Sequence, residues 1–212
     1  MNSRTKKMTL VAMSIALAFG VMLIGRVPVV MFLKYDPKDI VIAITGFILG
    51  PFSAVITSVV VSTLELGFSE TGIIGAIMNI LSTVAFVLPA SIMYKNNKTL
   101  KSAIIGLALG ALFSTAMMML WNYFLTPIYL GVPRSEVVKI LVPVILPFNL
   151  VKTGINMSLT LLLYKRVVNA LTRMNLIENS QVIKKDNTFM VILSLIILVS
   201  SILYFLVLRG VI

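Results

Sequence analysis

The chain contains no cysteine and no histidine. That excludes disulfides, thiol nucleophiles, histidine-based triads and zinc sites of the usual kind. Intramembrane metalloproteases and rhomboid-like serine proteases go with them, because both need histidine. There is no G-x-x-x-x-G-K-[ST] phosphate loop, so any work driven by ATP takes its energy from another subunit. Acidic residues are scarce, 7 against 18 lysines and arginines, and few fall within apolar runs, which argues against a proton relay. No serine, lysine or carboxylate pair stands at catalytic spacing. The chain reads as a non-enzyme that carries no cofactor.

What it has instead is apolar residue. Of 212 residues, 59% are hydrophobic, far above the soluble norm, so lipid is the solvent for most of the chain. The reading is an all-α, polytopic transmembrane helix bundle. Seven runs stand out: 8–25, 38–50, 52–67, 72–94, 102–125, 147–164 and 189–208. The second ends at Gly50-Pro51. It and the third are short. Thirteen residues rise only ~20 Å against a hydrocarbon core of ~30 Å, so these helices are tilted, screened by neighbours or partly re-entrant.

The formal charge of +11 would point to nucleic acid in a soluble protein, but no soluble basic domain is present. Here the basic residues mark the cytoplasmic side. With the N-terminus inside, the inner loops hold Arg4, Lys6, Lys7, Lys95, Lys98, Lys101, Lys165, Arg166, Arg173, Lys184 and Lys185. The outer loops hold only Arg26, Lys34, Lys38, Arg134 and Lys139. This predicts a multi-pass protein of the cell membrane with a cytoplasmic N-terminus.

Small residues form rows at helical spacing: Ala12, Ala16 and Gly20; Gly106, Gly110 and Ser114; Gly154 and Ser158. Such rows let helix backbones approach closely in lipid. The later rows fit packing within the chain. The row on the first helix fits a partner helix as well.

Polar residues inside the spans carry the functional signal. Asn149, Lys152 and Asn156 share one helix face. Lys152 either snorkels to the outer interface or lines an interior pocket, and two asparagines on its face favour the pocket. At the same depth lie Trp121, Asn122 and Tyr123, together with Asn79, Glu65, Tyr35 and Asp36. Trp121 and Tyr123 also fit an interfacial belt. Asn79 also fits a helix–helix hydrogen bond, and Glu65 a structural pair with a lysine. Together, amides, one cation and aromatic faces suit a flat, uncharged, hydrogen-bonding heterocycle.

The segments FLKYDPKDI (32–40), GFILGP (46–51), WNYFLTPIY (121–129), GVPRSEVV (131–138) and LPFNLVKTGIN (146–156) resemble the riboflavin-binding S component of energy-coupling factor (ECF) transporters. The likeness covers roughly residues 8–165. It implies a six-helix substrate-binding domain over residues 1–165 that captures riboflavin from outside as transported substrate. The partners it implies are a transmembrane coupling protein (EcfT) and two cytoplasmic ATPases. By motif, Asn122, Asn149 and Lys152 would hold the isoalloxazine ring. Leu33, Tyr35 and Asp36 would belong to a loop that closes over it, with Asn79 and Trp121 nearby. Ala12 and Ala16 would form the surface that docks the coupling protein. Residues 166–188 then form a basic cytoplasmic linker, and 189–212 an extra C-terminal transmembrane helix. The alternatives are an S component for another vitamin and a membrane scaffold without a small ligand.

Overall fold

Eight α-helices and one β-hairpin make up a computed structural model that describes residues 3–68, 72–174, 176, 188–208 and 210. Helix α1 is Ser3–Gly25. It leads into the hairpin, with strands β1 (Val27–Val30) and β2 (Leu33–Tyr35). Then come α2 (Lys38–Leu49), α3 (Pro51–Leu64) with a 3-10 turn at Glu65–Phe68, α4 (Gly72–Asn96) and α5 (Leu100–Leu130). The short α6 (Arg134–Ile140) passes through a π-turn (Leu141–Ile145) into α7 (Leu146–Arg173), and α8 is Thr188–Leu208. The seven apolar runs fall on α1 to α5, α7 and α8. The expected loop after the first run is instead an antiparallel hairpin that pairs Val27 with Tyr35 and Val30 with Leu33.

This is an all-α membrane bundle. Among the described residues, five stretches are long and apolar enough to cross a membrane: Arg4–Gly25, Pro51–Phe68, Gly72–Asn96, Leu100–Ile128 and Arg134–Arg173. Their outer faces expose Phe52, Ile73, Leu112, Phe113 and Ile128, as expected where lipid rather than water is the neighbour. The short α2 solves its length problem by being screened. It packs against α1, α3, α4 and α7. Nine of its 12 residues are buried, including Lys38 and Asp39 in its first turn. Gly50 then turns the chain at φ 92°, ψ 169°, a region open essentially to glycine alone, and Pro51 opens α3 where its missing N–H is harmless.

The bundle has two unlike ends. Away from the hairpin, Ile42, Phe47, Phe86, Leu107 and Leu161 belong to an apolar core. There the rings of Phe47, Tyr94 and Tyr164 meet with centroids 4.6, 5.6 and 5.8 Å apart. At the hairpin end, Val29 and Leu33 pack on Ile145 and Phe148. The π-turn falls where Pro143 withholds a backbone donor and Pro147 follows four residues later, so the regular ladder cannot run through.

Residues 166–173, expected at the start of a linker, are helical. Helix α7 continues to Arg173, while 175 and 177–187 lie outside the described residues. Helix α8 packs along α7. A Cβ on Gly154 would meet Ser201 Oγ of α8 at 2.7 Å, and the Phe205 ring lies edge-on to Tyr35 of the hairpin, centroids 6.3 Å apart.

The row on α5 meets a matching row on α4 four residues at a time. A Cβ on Gly106 would lie 2.8 Å from Ala90 Cα, and one on Gly110 only 2.0 Å from the Phe86 carbonyl oxygen. One turn further, the Ser114 hydroxyl donates to the Ser82 carbonyl at 3.0 Å. The row on α1 differs. Ala12 and Ala16 are exposed, and a Cβ on Gly20 meets nothing within 4 Å among the described residues. Gly110→Ala is therefore expected to destabilise the bundle by roughly 1–3 kcal/mol through overpacking. Gly20→Ala should be neutral or mildly stabilising. Thermal unfolding in detergent checks both; equal midpoints for the two variants would contradict the close α4–α5 contact.

Candidate ligand-binding site

The hairpin follows from its sequence. VPVV and LKY supply β-formers, and Met31 at φ 50° makes the two-residue turn. A bulky residue in the left-handed region is strained, and the tip is where the chain tolerates it. After β2, the Asp36 carboxylate accepts the Lys38 backbone N–H at 3.1 Å, so Asp-Pro-Lys starts α2 while turning Lys38 and Asp39 into the bundle.

Beneath the hairpin is a cavity of about 120 Å³. Phe32, Leu33, Lys34 and Asp36 contribute its hairpin side, and Arg26 and Glu65 also line it. Asn79 and Ser82 come from α4, Met118 and Asn122 from α5, and Phe148, Asn149 and Lys152 from α7. Segments far apart in sequence meet because the starts of α4 and α7 and the ends of α3 and α5 all lie at this end of the bundle. Two asparagines are fixed alike. Asn122 Nδ2 donates to the Met118 carbonyl and Asn149 Nδ2 to the Ile145 carbonyl, each at 2.8 Å. Thr126 Oγ1 donates to Asn122 Oδ1 at 2.8 Å.

Under and beside the cavity lies an ionic cluster. Arg26 pairs with Asp36 at 2.8 Å and also with Glu65. Lys38, with no exposed surface, reaches Asp36 at 3.0 Å and Glu65 as well. Lys152 Nζ lies 3.4 Å from Asp39 Oδ2. Among these six residues three cations face three carboxylates, so their formal charges cancel. Neutral donors complete the shell. Asn79 donates to Glu65 at 2.7 Å, Thr83 to Asp39 at 2.6 Å and Asn156 to Asp39 at 3.2 Å. Removing one member would leave an odd buried charge, which costs about 3–5 kcal/mol.

The hairpin side of the cluster titrates accordingly. Burial pushes the Asp36 carboxyl upward, but Lys38 and Arg26 outweigh it and hold the group below its ordinary value. Burial and the nearby Asp39 and Asp36 push the Tyr35 phenol up, so it stays a donor, and its hydroxyl donates to Asn156 Oδ1 at 3.0 Å.

Of the residues expected from sequence, Leu33, Asp36, Asn79, Asn122, Asn149 and Lys152 line one cavity. Lys152 does not snorkel: it is 7% exposed and paired. Glu65 does pair with a lysine, and Asn79 bonds that glutamate while also facing the cavity. Two expected residues lie off the wall. Trp121 precedes Asn122 by one position, about 100° around the helix, so it turns away when Asn122 turns in. Its indole N–H donates to Met117 Sδ at 2.8 Å. Tyr35 reaches past the cavity to Asn156. The sequence reading missed Arg26, Lys38, Asp39 and Thr83. Arg26 and Lys38, expected among the outer-loop charges, belong to the ionic cluster instead. The available signal was a Lys-Asp pair opening a run too short to reach an interface.

A cavity bounded by a hairpin and by polar side chains inside a membrane helix bundle is a site of the kind that a membrane protein uses to hold a small molecule. The chain belongs to the family of ECF transporter substrate-specific components, whose model matches residues 6–164. It is 32% identical over 180 residues to the riboflavin transporter RibU of Staphylococcus aureus (strain TCH60), covering 80% of this chain and 94% of that protein. It is 28% identical over 163 residues to the riboflavin transporter FmnP of Bacillus subtilis (strain 168), covering 70% and 85%. A solved S component of a bacterial ECF transporter matches with a TM-score of 0.70 at 30% identity, covering 81% of this chain and 100% of that one. The family binds a transported substrate and is not a family of enzymes. The matched region stops before α8.

The depressed Asp36 makes acid a probe of the hairpin. Its contribution is fully present above the ordinary carboxylate value, about pH 4, and is lost as pH falls through the lower folded value. The unfolding midpoint should therefore change little between about pH 7 and 5 and drop below about pH 4. Asp36→Asn should start lower and lose less on acidification. Identical acid dependence in the two proteins would show that Asp36 carries none of it.

Proposed function

We propose that this chain captures riboflavin from outside the cell as the S component of an ECF importer. The observation that carries the reading is the shared cavity wall. Asn122, Asn149 and Lys152, from two helices, meet beneath Leu33 and Asp36 of the hairpin. Amides offer a donor and an acceptor to a pyrimidine-dione edge, and an ammonium offers a donor to a ring carbonyl. The similar proteins from Staphylococcus aureus and Bacillus subtilis are riboflavin transporters, which supports the same substrate here.

In this reading the N-terminus is cytoplasmic, residues 1–165 form the substrate-binding domain and the hairpin closes over the vitamin. The capture component then docks on the coupling protein EcfT through the exposed row of Ala12 and Ala16 on α1. Two cytoplasmic ATPases supply the energy. The stretch between α7 and α8 serves as a basic cytoplasmic linker, and α8 adds a peripheral span.

Titration of flavin-depleted protein in detergent tests the substrate through the single tryptophan, Trp121. Riboflavin should quench it saturably; thiamine, biotin and folate should not. Asn149→Ala should weaken riboflavin binding on the order of tenfold. Saturation by another vitamin alone would reassign the substrate, and silence to all from folded protein would favour a scaffold. Separately, Ala16→Arg should abolish uptake by the complete transporter while leaving riboflavin affinity intact. Undiminished uptake would remove α1 as the docking face.

A further inference from the structure

The two buried lysines are held differently. Lys38 is fully enclosed, pairs with Asp36 and Glu65, and does not reach the cavity. Lys152 lines the cavity and has Asp39 as its carboxylate partner, at 3.4 Å. A direct charge-assisted hydrogen bond spans about 2.7–2.9 Å. At the longer distance the ammonium is held beside Asp39 by charge, at the cavity wall.

Asp39 itself is off the cavity wall and 2% exposed. Its position is over-determined. The Thr83 hydroxyl of α4 fixes Oδ1 at 2.6 Å, and the Asn156 amide of α7 fixes Oδ2 at 3.2 Å. Asn156 is fixed in turn by the hydroxyl of Tyr35 from the hairpin, at 3.0 Å. A lysine side chain has four rotatable carbons and strong rotamer freedom. A rigid carboxylate beside it restricts where its charge can sit.

We propose that Asp39 is a positioning residue for ligand binding: anchored by Thr83 and Asn156, it sets where the Lys152 ammonium meets the bound flavin. Asp39 touches no ligand in this scheme and acts only through Lys152. The proposal rests on the riboflavin reading and deepens it.

The test is a double-mutant cycle on riboflavin affinity, with Asp39→Asn, Lys152→Met and the pair, in the full-length protein. Lys152→Met should lower affinity on the order of 10–100-fold, and Asp39→Asn on the order of tenfold. In the Lys152→Met background, Asp39→Asn should then add little. The visible absorption spectrum of bound riboflavin gives a second readout, because a cation beside the ring shifts its bands. Asp39→Asn should move that spectrum toward the one seen with Lys152→Met. A role confined to folding would change stability without changing the spectrum. Should Asp39→Asn not fold, Thr83→Val removes one anchor without changing charge. Its several-fold loss of affinity should likewise vanish in the Lys152→Met background. Additive losses, or a wild-type spectrum in Asp39→Asn, overturn the proposal while leaving riboflavin binding in place. Failure of the unsubstituted protein to bind riboflavin overturns both.

Discussion

A buried cluster of six charges sits at the hairpin end of the bundle, and the architecture at that end is arranged around it. Ions in lipid or in a dry core are costly unless each has a partner. Arg26, Lys38 and Lys152 offset Asp36, Asp39 and Glu65. Satisfying that condition requires five segments to meet: the end of α1, the hairpin, the start of α2, the end of α3 and the start of α7. The donors from Asn79 and Thr83 bring in α4. The cluster therefore ties the hairpin to the helices below it, and the cavity is the space left beside this tied end.

The apolar end works by different physics. Between α4 and α5, glycines and a serine bring two backbones close enough that a single Cβ would strike a carbonyl. Lipid tails are as apolar as leucine, so packing contact rather than water exclusion holds these helices together. The close α4–α5 seam fixes where Asn79 and Asn122 stand across the cavity. The polar end gains its geometry from this packing, and α2 can carry a charged first turn because α1, α3, α4 and α7 surround it.

Helix α8 shows how an element outside the family's matched region is accommodated. It meets α7 at a small position, Gly154 against Ser201, and its Phe205 ring lies edge-on to Tyr35 of the hairpin. The added helix thus touches the hairpin that borders the cavity.

The sequence by itself determined the all-α membrane class, the seven apolar runs and the face shared by Asn149, Lys152 and Asn156. Long apolar runs and helical spacing are local properties, and they survive whatever the neighbours do. The motif likeness also brought Asn122 together with Asn149 and Lys152, which the fold places on one wall. Only the tertiary structure decided that Lys152 is paired rather than snorkelling, that Trp121 turns away, and that Arg26 and Lys38 are not loop charges but members of a buried cluster. The partners of these residues lie far along the chain: Asp39 is bonded by Asn156 and Thr83, and Glu65 by Lys38 and Asn79. A charge's partner is set by which helices pack side by side, and no spacing within a single segment encodes it.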